Sequence, residues 1–426
     1  VTQIENRDSS LCVRAFLLGF RETGETIDMA EAHLAELRGL VESLGILVVG
    51  TMLTVLRDIR TRSLIGKGKL EEVAQRIDDV DADLAVFDTD LSPTQQRNLE
   101  KEWDIAVIDR CELILDIFAN RASTREAVIQ VALARMQYSL PRLTRAWTHL
   151  SRQRGGAKGN RGKGETQLES DHRLVQDRIV SLKKDLIKIR EQRNARRKRR
   201  FDNAIPSISL VGYTNAGKSS LLNSICGSDV PVEDRLFATL DPTTRRFDKP
   251  GNRHILFTDT VGFIRKLPHD LVDAFRSTLE EAVIADVILH VADAGSPELD
   301  QHIATAESVL MELGAKDKPR ILALNKADTL SLDRRESLVL RYPAGIFVSA
   351  RSGLGLDTLM QAVFRALDAG KSTTTLHLPS DRWDLRSKLH QVSSVLEENF
   401  DKRGVRLLVR ISAEEKSRFA DYILDA

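Results

Sequence analysis

Cysteine is scarce in this 426-residue chain. Cys12, Cys111 and Cys226 are too few and too scattered for a disulfide framework or a zinc site, and a reducing cytosol fits that usage. Long apolar runs are missing near the start. The longest there, Ala15-Phe16-Leu17-Leu18, is too short for a signal segment or a membrane span. Neither sign of charge dominates: 63 Lys and Arg face 62 Asp and Glu, a formal net charge of +1. Whole-chain charge therefore gives no argument for a nucleic-acid partner. The nine histidines show no paired metal-ligand spacing.

Against those absences stands Gly212-Tyr213-Thr214-Asn215-Ala216-Gly217-Lys218-Ser219. It follows the apolar run Ile205 to Val211 and opens a helix-compatible segment, Ser220 to Ile225. A strand, a Gly-rich turn and a helix start in that order form a P-loop. Its backbone N–H groups point at a polyphosphate, and the helix N-terminus adds a favourable dipole. Lys218 would reach the β- and γ-phosphates, and Ser219 would ligate Mg²⁺.

Four more patterns follow in the order a GTPase needs. Phe237-Ala238-Thr239-Leu240-Asp241 suits a first switch, with Thr239 as second protein ligand of Mg²⁺ and Thr243 and Thr244 as competitors. Asp259-Thr260-Val261-Gly262 follows the run Ile255-Leu256-Phe257; Asp259 would hold Mg²⁺ through water, and the Gly262 N–H would meet the γ-phosphate. Asn325-Lys326-Ala327-Asp328 selects the base. The Asp328 carboxylate can accept two hydrogen bonds from guanine, and adenine cannot offer that pair. Lys326 would pack over the base, and Ser349-Ala350-Arg351 supplies the last loop, with the Ala350 N–H facing guanine O6. Catalytic weight falls on Lys218, Thr239 and Gly262. Phe263 stands where many GTPases keep a water-orienting Gln, so slow intrinsic hydrolysis and activation by a partner are expected.

Length suggests about three domains as a prior, and the patterns divide the chain further. Residues 1–122 alternate strand-like stretches (Cys12 to Leu18, Ile46 to Val49, Leu84 to Phe87, Ile105 to Ile108) with helix-like ones (Met29 to Leu44, Lys69 to Ile77, Thr94 to Glu102). That alternation predicts a small parallel α/β subdomain. Ser92, Pro93 and Gln95 form a helix start. Gly66-Lys67-Gly68-Lys69 lacks P-loop spacing and reads as a loop before a helix. Residues 123–204 carry two heptad-like stripes, Leu133 to Leu150 and Leu168 to Ile189, which predict a long antiparallel helical hairpin. Each arm approaches ~45 Å if helical over ~30 residues, and Pro141 should kink the first. The tip at 152–164 is rich in glycine and carries Arg152, Arg154, Lys158, Arg161 and Lys163, a composition suited to close approach to RNA phosphates. The cations Arg193 to Arg200 suit either RNA or a helix C-terminus. Residues 205–370 form the GTPase (G) domain. A small α+β domain over 371–426 would hold strands at Thr375–Leu378 and Val405–Ile411, a helix from Trp383 to Phe400, and a capped last helix at Ser412 and Glu415.

Taken together, the P-loop, Phe237 to Arg245, Asp259 to Phe263, Asp109-Arg110, Leu115 to Ala119 and Gly162 to Glu169 resemble the HflX family of ribosome-associated, Obg-HflX-like P-loop GTPases. The tip from Gly155 to Gly162 is slightly longer and more basic than the family pattern. The resemblance implies binding to the 50S ribosomal subunit, the hairpin loop reaching rRNA near the peptidyl-transferase centre. It implies GTP-dependent splitting of stalled or hibernating 70S ribosomes under stress and ribosome-stimulated hydrolysis, in a cytoplasmic monomer with no membrane span. Resemblance of the P-loop to that of the tRNA-modification factor TrmE implies K⁺ at Asn215. Two other readings stay open: a large-subunit assembly checkpoint, and a nucleotide-regulated RNA-binding or remodelling protein.

Overall fold

The computed structural model describes residues 12–22, 24–55, 62–143, 167–201, 205–227, 236–237, 239–249, 253–266 and 282–424. The chain divides into two compact units. One holds Val1–Ile189, Asp234–Leu240 and Arg265–Phe275; the other holds Arg190–Glu233, Asp241–Ile264 and Arg276–Ala426.

The first unit is built on four parallel strands, β1 (Arg14–Arg21), β2 (Leu47–Val55), β3 (Leu84–Phe87) and β4 (Ala106–Asp109), in the order β2-β1-β3-β4. Strand β1 is buried on both faces, which is why it reads as an unbroken apolar run rather than an alternation. Phe16 and Leu18 share a core with Val73 and Ile77 of helix α2 (Lys67–Asp79) and with Leu99 and Trp103 of helix α3 (Pro93–Trp103). Helix α1 (Ile27–Ser43) packs beside β1 and β2. Helix α3 starts as the sequence predicts: Ser92 Oγ accepts from the Gln95 N–H, and the Gln95 side chain accepts from the Ser92 N–H.

Two expectations for this unit are corrected, and one further element joins those expected. Gly66 is the N-cap of α2, so Lys67, Gly68 and Lys69 are helical rather than loop; the Leu70 N–H already closes a turn onto the Gly66 carbonyl. A further helix, α4 (Arg110–Arg121), directly follows β4, capped by the Asp109 carboxylate. Helix α5 (Arg125–Ser139) stops short of Pro141, and Leu140–Arg142 form a 3₁₀ turn, so the proline ends the α-helix instead of kinking it. Helix α6 (Gln167–Phe201) follows. Leu133 of α5 packs with Ile179, Leu182 and Leu186 of α6, and Met136, Leu140 and Val175 join them. The tip cations Arg152, Arg154, Lys158, Arg161 and Lys163 lie outside the described residues, as does Ala238.

The second unit carries six strands: β5 (Ser207–Val211), β6 (Thr243–Lys249), β7 (Arg253–Asp259), β8 (Val287–Asp293), β9 (Arg320–Asn325) and β10 (Ile346–Phe347). Their order is β10-β9-β8-β5-β7-β6, parallel except for the β6–β7 pair. Leu210, Phe257 and Leu289 share a core with Leu221 of helix α7 (Lys218–Cys226). Helix α10 (Leu356–Asp368) joins that core through Leu359 and Val363, whereas α8 (Leu299–Glu312) and α9 (Leu332–Arg341) pack on the opposite face of the sheet with Ala292 and Leu324.

A three-stranded antiparallel sheet follows, β11 (Lys371–Pro379), β12 (Ser394–Asp401) and β13 (Gly404–Ser412), in the order β11-β13-β12. Here the expected helix over Trp383–Phe400 is corrected. Helix α11 (Trp383–Val392) ends first, and the remainder is strand β12. A bulge between Val395 and Glu397 shifts the pairing with β13 and breaks the period-two alternation by which a strand is read. Ser412 caps the last helix, α12 (Ala413–Arg418). Among the described residues no helix is long and apolar enough to cross a membrane.

Candidate functional site

The ends of β5, β7, β9 and β10 bring four of the five sequence patterns into the second unit. The P-loop leaves β5 through Gly212, whose φ is +150°. A Cβ there would lie 2.0 Å from the Val291 carbonyl oxygen, so glycine is required. Gly217, at φ +86°, is tight for another reason: a Cβ would meet Asn325 Nδ2 at 2.3 Å. Asn215 is exposed and takes the left-handed conformation, φ +58°.

Lys218 opens α7 and is 6% exposed. Its Nζ donates to the carbonyls of Tyr213, at 2.9 Å, and Gly212, at 3.2 Å. Burial pushes the ammonium pKa down to about 8, and the Asp259 carboxylate works against that fall. Ser219 Oγ donates to Asp259 Oδ2 at 2.5 Å. A hydroxyl and a carboxylate thus converge beside the loop lysine, and hard oxygen donors of this kind fit Mg²⁺.

The segment after β7 is fastened to the P-loop through its backbone. The Thr214 N–H donates to the Phe263 carbonyl at 2.7 Å, and the Phe263 N–H donates to the Gly212 carbonyl at 3.0 Å. Phe263 is 1% exposed. Thr260 Oγ1 donates to the Leu210 carbonyl, and Val261 is buried. A Cβ on Gly262 would come within 2.8 Å of Thr214 Cα and 2.9 Å of Lys218 Nζ, so a glycine keeps this turn against the phosphate loop.

Asn325 joins two loops. Its Nδ2 donates to the Ala216 carbonyl at 2.9 Å, and its Oδ1 accepts from the Ala350 N–H at 3.1 Å. That N–H, expected to face guanine O6, is committed to Asn325 in this structure. Lys326, at φ +61°, pairs its Nζ with Asp293 at 2.8 Å. Ala327 is buried, its N–H bonded to the Val348 carbonyl, while Asp328 is exposed in a 3₁₀ turn. Ser349 is fully buried, its Oγ accepting from the Ser352 N–H, and Arg351 is exposed.

The first switch pattern is split. Asp241 belongs to the second unit, whereas Phe237, Thr239 and Leu240 belong to the first. There the Phe237 ring meets Phe118 edge-on at 4.7 Å. Arg265 and Lys266 also belong to the first unit. The buried Arg110 guanidinium donates to the Arg265 carbonyl and to Asp88, and pairs with Glu36. The Arg265 guanidinium donates to the other Asp88 oxygen at 2.5 Å, and Lys266 pairs with Glu22 at 2.7 Å.

Sequence reasoning missed three residues. His302 of α8 stacks on Tyr213 of the P-loop, with ring centroids 3.7 Å apart and planes 13° from parallel. Asp293 holds Lys326, and Asp88 joins two arginines. None has a local sequence signal, because each acts on a residue far away in the chain.

Three family models match the chain: "GTP-binding GTPase N-terminal" over residues 31–119, "GTP-binding GTPase Middle Region" over 121–200, and "50S ribosome-binding GTPase" over 207–326. The chain is 41% identical over 422 residues to the GTPase HflX of Caldanaerobacter subterraneus subsp. tengcongensis, covering 98% of this chain and 95% of that one. To the GTPase HflX of Akkermansia muciniphila it is 45% identical over 407 residues, 93% of each chain. To that of Escherichia coli it is 42% identical over 392 residues, 91% of each. Among solved structures it is similar to one described as the crystal structure of SsGBP and GDP complex, at 28% identity and a TM-score of 0.47, over 83% of this chain and 98% of that one.

Proposed function

This chain belongs to the HflX family of GTPases, and on that premise we propose that it binds the large ribosomal subunit and splits stalled or hibernating 70S ribosomes when loaded with GTP. The observation that carries this reading is a guanine-nucleotide site with no water-orienting Gln beside Gly262. Phe263 occupies that place, buried and tied to the P-loop through its backbone. Such a site needs help from a partner to hydrolyse GTP. The match of residues 207–326 to a model described as a 50S ribosome-binding GTPase supports the ribosome as that partner.

Each site residue then has a task. The amides from Asn215 to Ser219 and the Lys218 ammonium hold the β- and γ-phosphates. Ser219 and Thr239 would ligate Mg²⁺ directly, and Asp259 through water. Held there, Mg²⁺ would offset the negative charge of the phosphates. Gly262 offers its N–H to the γ-phosphate, and Asp328 reads guanine. Arg152, Arg154, Lys158, Arg161 and Lys163 approach rRNA near the peptidyl-transferase centre. The exposed Asn215 side chain offers an oxygen to K⁺; equal ribosome-stimulated rates in Na⁺ and K⁺ rule that role out. The same reading makes the chain a cytoplasmic monomer.

A sucrose gradient of purified 70S ribosomes tests the proposal. The expected result is dissociation into subunits with GTP or a non-hydrolysable analogue, and none with GDP. Intact 70S under every condition, with binding kept to free 50S, rejects splitting and favours an assembly checkpoint.

A further inference from the structure

The small sheet that ends the second unit has a closed core. Leu376, Leu378, Val405, Leu407, Val409 and Ile411 fill it, with Leu389 and Phe419. Two large rings are left out. Trp383, at the start of α11, is 49% exposed, and Phe400, on β12, is 62% exposed. They are the only exposed aromatic rings among the residues whose side chains are described. They lie side by side, with centroids 6.2 Å apart and planes 30° from parallel. The Arg386 guanidinium sits 5.3 Å from the Trp383 centroid and 5.7 Å from that of Phe400. Glu398 holds it with two hydrogen bonds, at 2.6 and 3.2 Å. Two rings and a cation are therefore fixed in place before any ligand arrives.

The charges beside the rings settle what chemistry suits them. Asp384 is matched by Arg382, and Glu398 by Arg386 and His390. Asp401 accepts from the backbone N–H groups of Arg403 and Gly404 and pairs with His377. The turn immediately after the Phe400 strand then presents Lys402 and Arg403, both exposed. Glu397 points away, since it pairs in register with Leu408 on the other face from Leu407. An aromatic face beside unmatched cations fits a flat π-system that carries a phosphate. Unpaired nucleotides have that chemistry, whereas a base-paired helix keeps its ring faces stacked inside.

We propose that Trp383, Phe400 and Arg386 form a stacking platform for unpaired RNA bases, with Lys402 and Arg403 contacting the adjoining phosphates. The platform lies apart in sequence from the basic loop at 152–164 and does not depend on ribosome splitting.

The test uses the full-length chain and a fluorescein-labelled eight-nucleotide single-stranded RNA, read by anisotropy, beside a duplex of the same length. The joint change Trp383→Ala and Phe400→Ala should weaken single-strand binding by about tenfold or more and leave duplex binding and GDP binding unchanged. Trp383→Phe keeps a ring and should restore most of the affinity. Lys402→Ser with Arg403→Ser should flatten the salt dependence. Equal single-strand affinity in parent and double variant overturns the proposal, as does an equal loss for the duplex. It is also overturned if the double variant keeps its RNA affinity but loses binding to ribosomal protein, which makes the rings a protein-docking patch. If the double variant melts early, the unmodified chain gives the answer. Photocrosslinking to 4-thiouridine RNA should mark the peptides holding Trp383 or Phe400; crosslinks confined to other peptides reject the platform.

Discussion

At the scale of single residues, the nucleotide site is governed by burial and by space. Lys218 is an ammonium held inside the protein, and burial brings its pKa down to about 8 despite Asp259. A polyphosphate delivers negative charge next to it and so favours the protonated form. The sign follows. Above pH 8 the free chain has lost much of this proton, and binding must take it back. Nucleotide binding at pH 9 should therefore be accompanied by proton uptake that fades below pH 7. Calorimetry in two buffers of different ionisation enthalpy measures it, and identical apparent enthalpies at pH 9 contradict the account. Space is the other constraint. Gly212→Ala would place a methyl carbon 2.0 Å from the Val291 carbonyl oxygen, at a φ of +150°. The backbone conformation alone costs about 1–3 kcal/mol, and a strand carbonyl cannot move aside as a flexible side chain can. The variant should melt at lower temperature and fail to retain GDP, read by thermal unfolding and filter binding. Full retention of GDP would refute the steric argument.

At the scale of elements, α4 shows burial prevailing over a helix dipole. Glu112 lies in its first turn, where a negative charge is usually favoured. Its carboxyl is nonetheless raised to about 7, chiefly by burial and further by Asp109 and Asp116. Gln96 and Tyr138 both donate to it. As pH climbs from 4.5 toward 7 the unfolded chain gives up this proton while the folded chain keeps it, so stability falls over that window. Glu112→Gln removes the penalty and can still accept the same bonds. It should stabilise the protein by on the order of 3 kcal/mol above pH 7, and the advantage should shrink toward pH 4.5. Thermal unfolding at pH 5 and pH 8 compares the two; an equal shift at both pH values disproves it. Elements of this kind also mark how far the sequence could be read. Leu84–Phe87 was legible because a strand buried on both faces leaves one short apolar run, and α3 because its capping box is local. Strand β12 was not, because its identity comes from pairing with β13 across a bulge. Nor was the partnership of Asp88 with Arg110 and Arg265, which joins residues far apart in the chain. In the nucleotide site the loops were legible, since their glycines and Lys218 answer to backbone geometry and phosphate chemistry. The Asn325 bridge between Ala216 and Ala350 was not, because it depends on how two strand ends meet.

At the scale of the molecule, near-neutral charge hides strongly local charge. The chain carries a net +1, yet five of its cations crowd into the residues from Arg152 to Lys163. That stretch lies in the part of the chain grouped with the first unit, whereas the P-loop and the loop from Asn325 to Asp328 belong to the second. The proposed binding to rRNA through those cations would displace counterions, so affinity for 50S should fall steeply with salt. Affinity for GDP, which the proposed function assigns to Lys218, Ser219 and Asp328, should not follow it. Changing Arg152, Arg154, Lys158, Arg161 and Lys163 together to serine removes up to five phosphate contacts. The slope of log affinity for 50S against log salt should then become shallower by about 3.5 to 4.5, at 0.7 to 0.9 per contact. GDP affinity and slow intrinsic hydrolysis should stay as they were, while stimulation by 50S drops. Pelleting of the chain with 50S across a KCl series, beside GDP binding in the same buffers, separates the two effects. An unchanged slope in the five-fold variant would mean that the basic loop does not meet phosphates. A loss of GDP affinity instead would mean that the loop supports the nucleotide site and not the RNA contact.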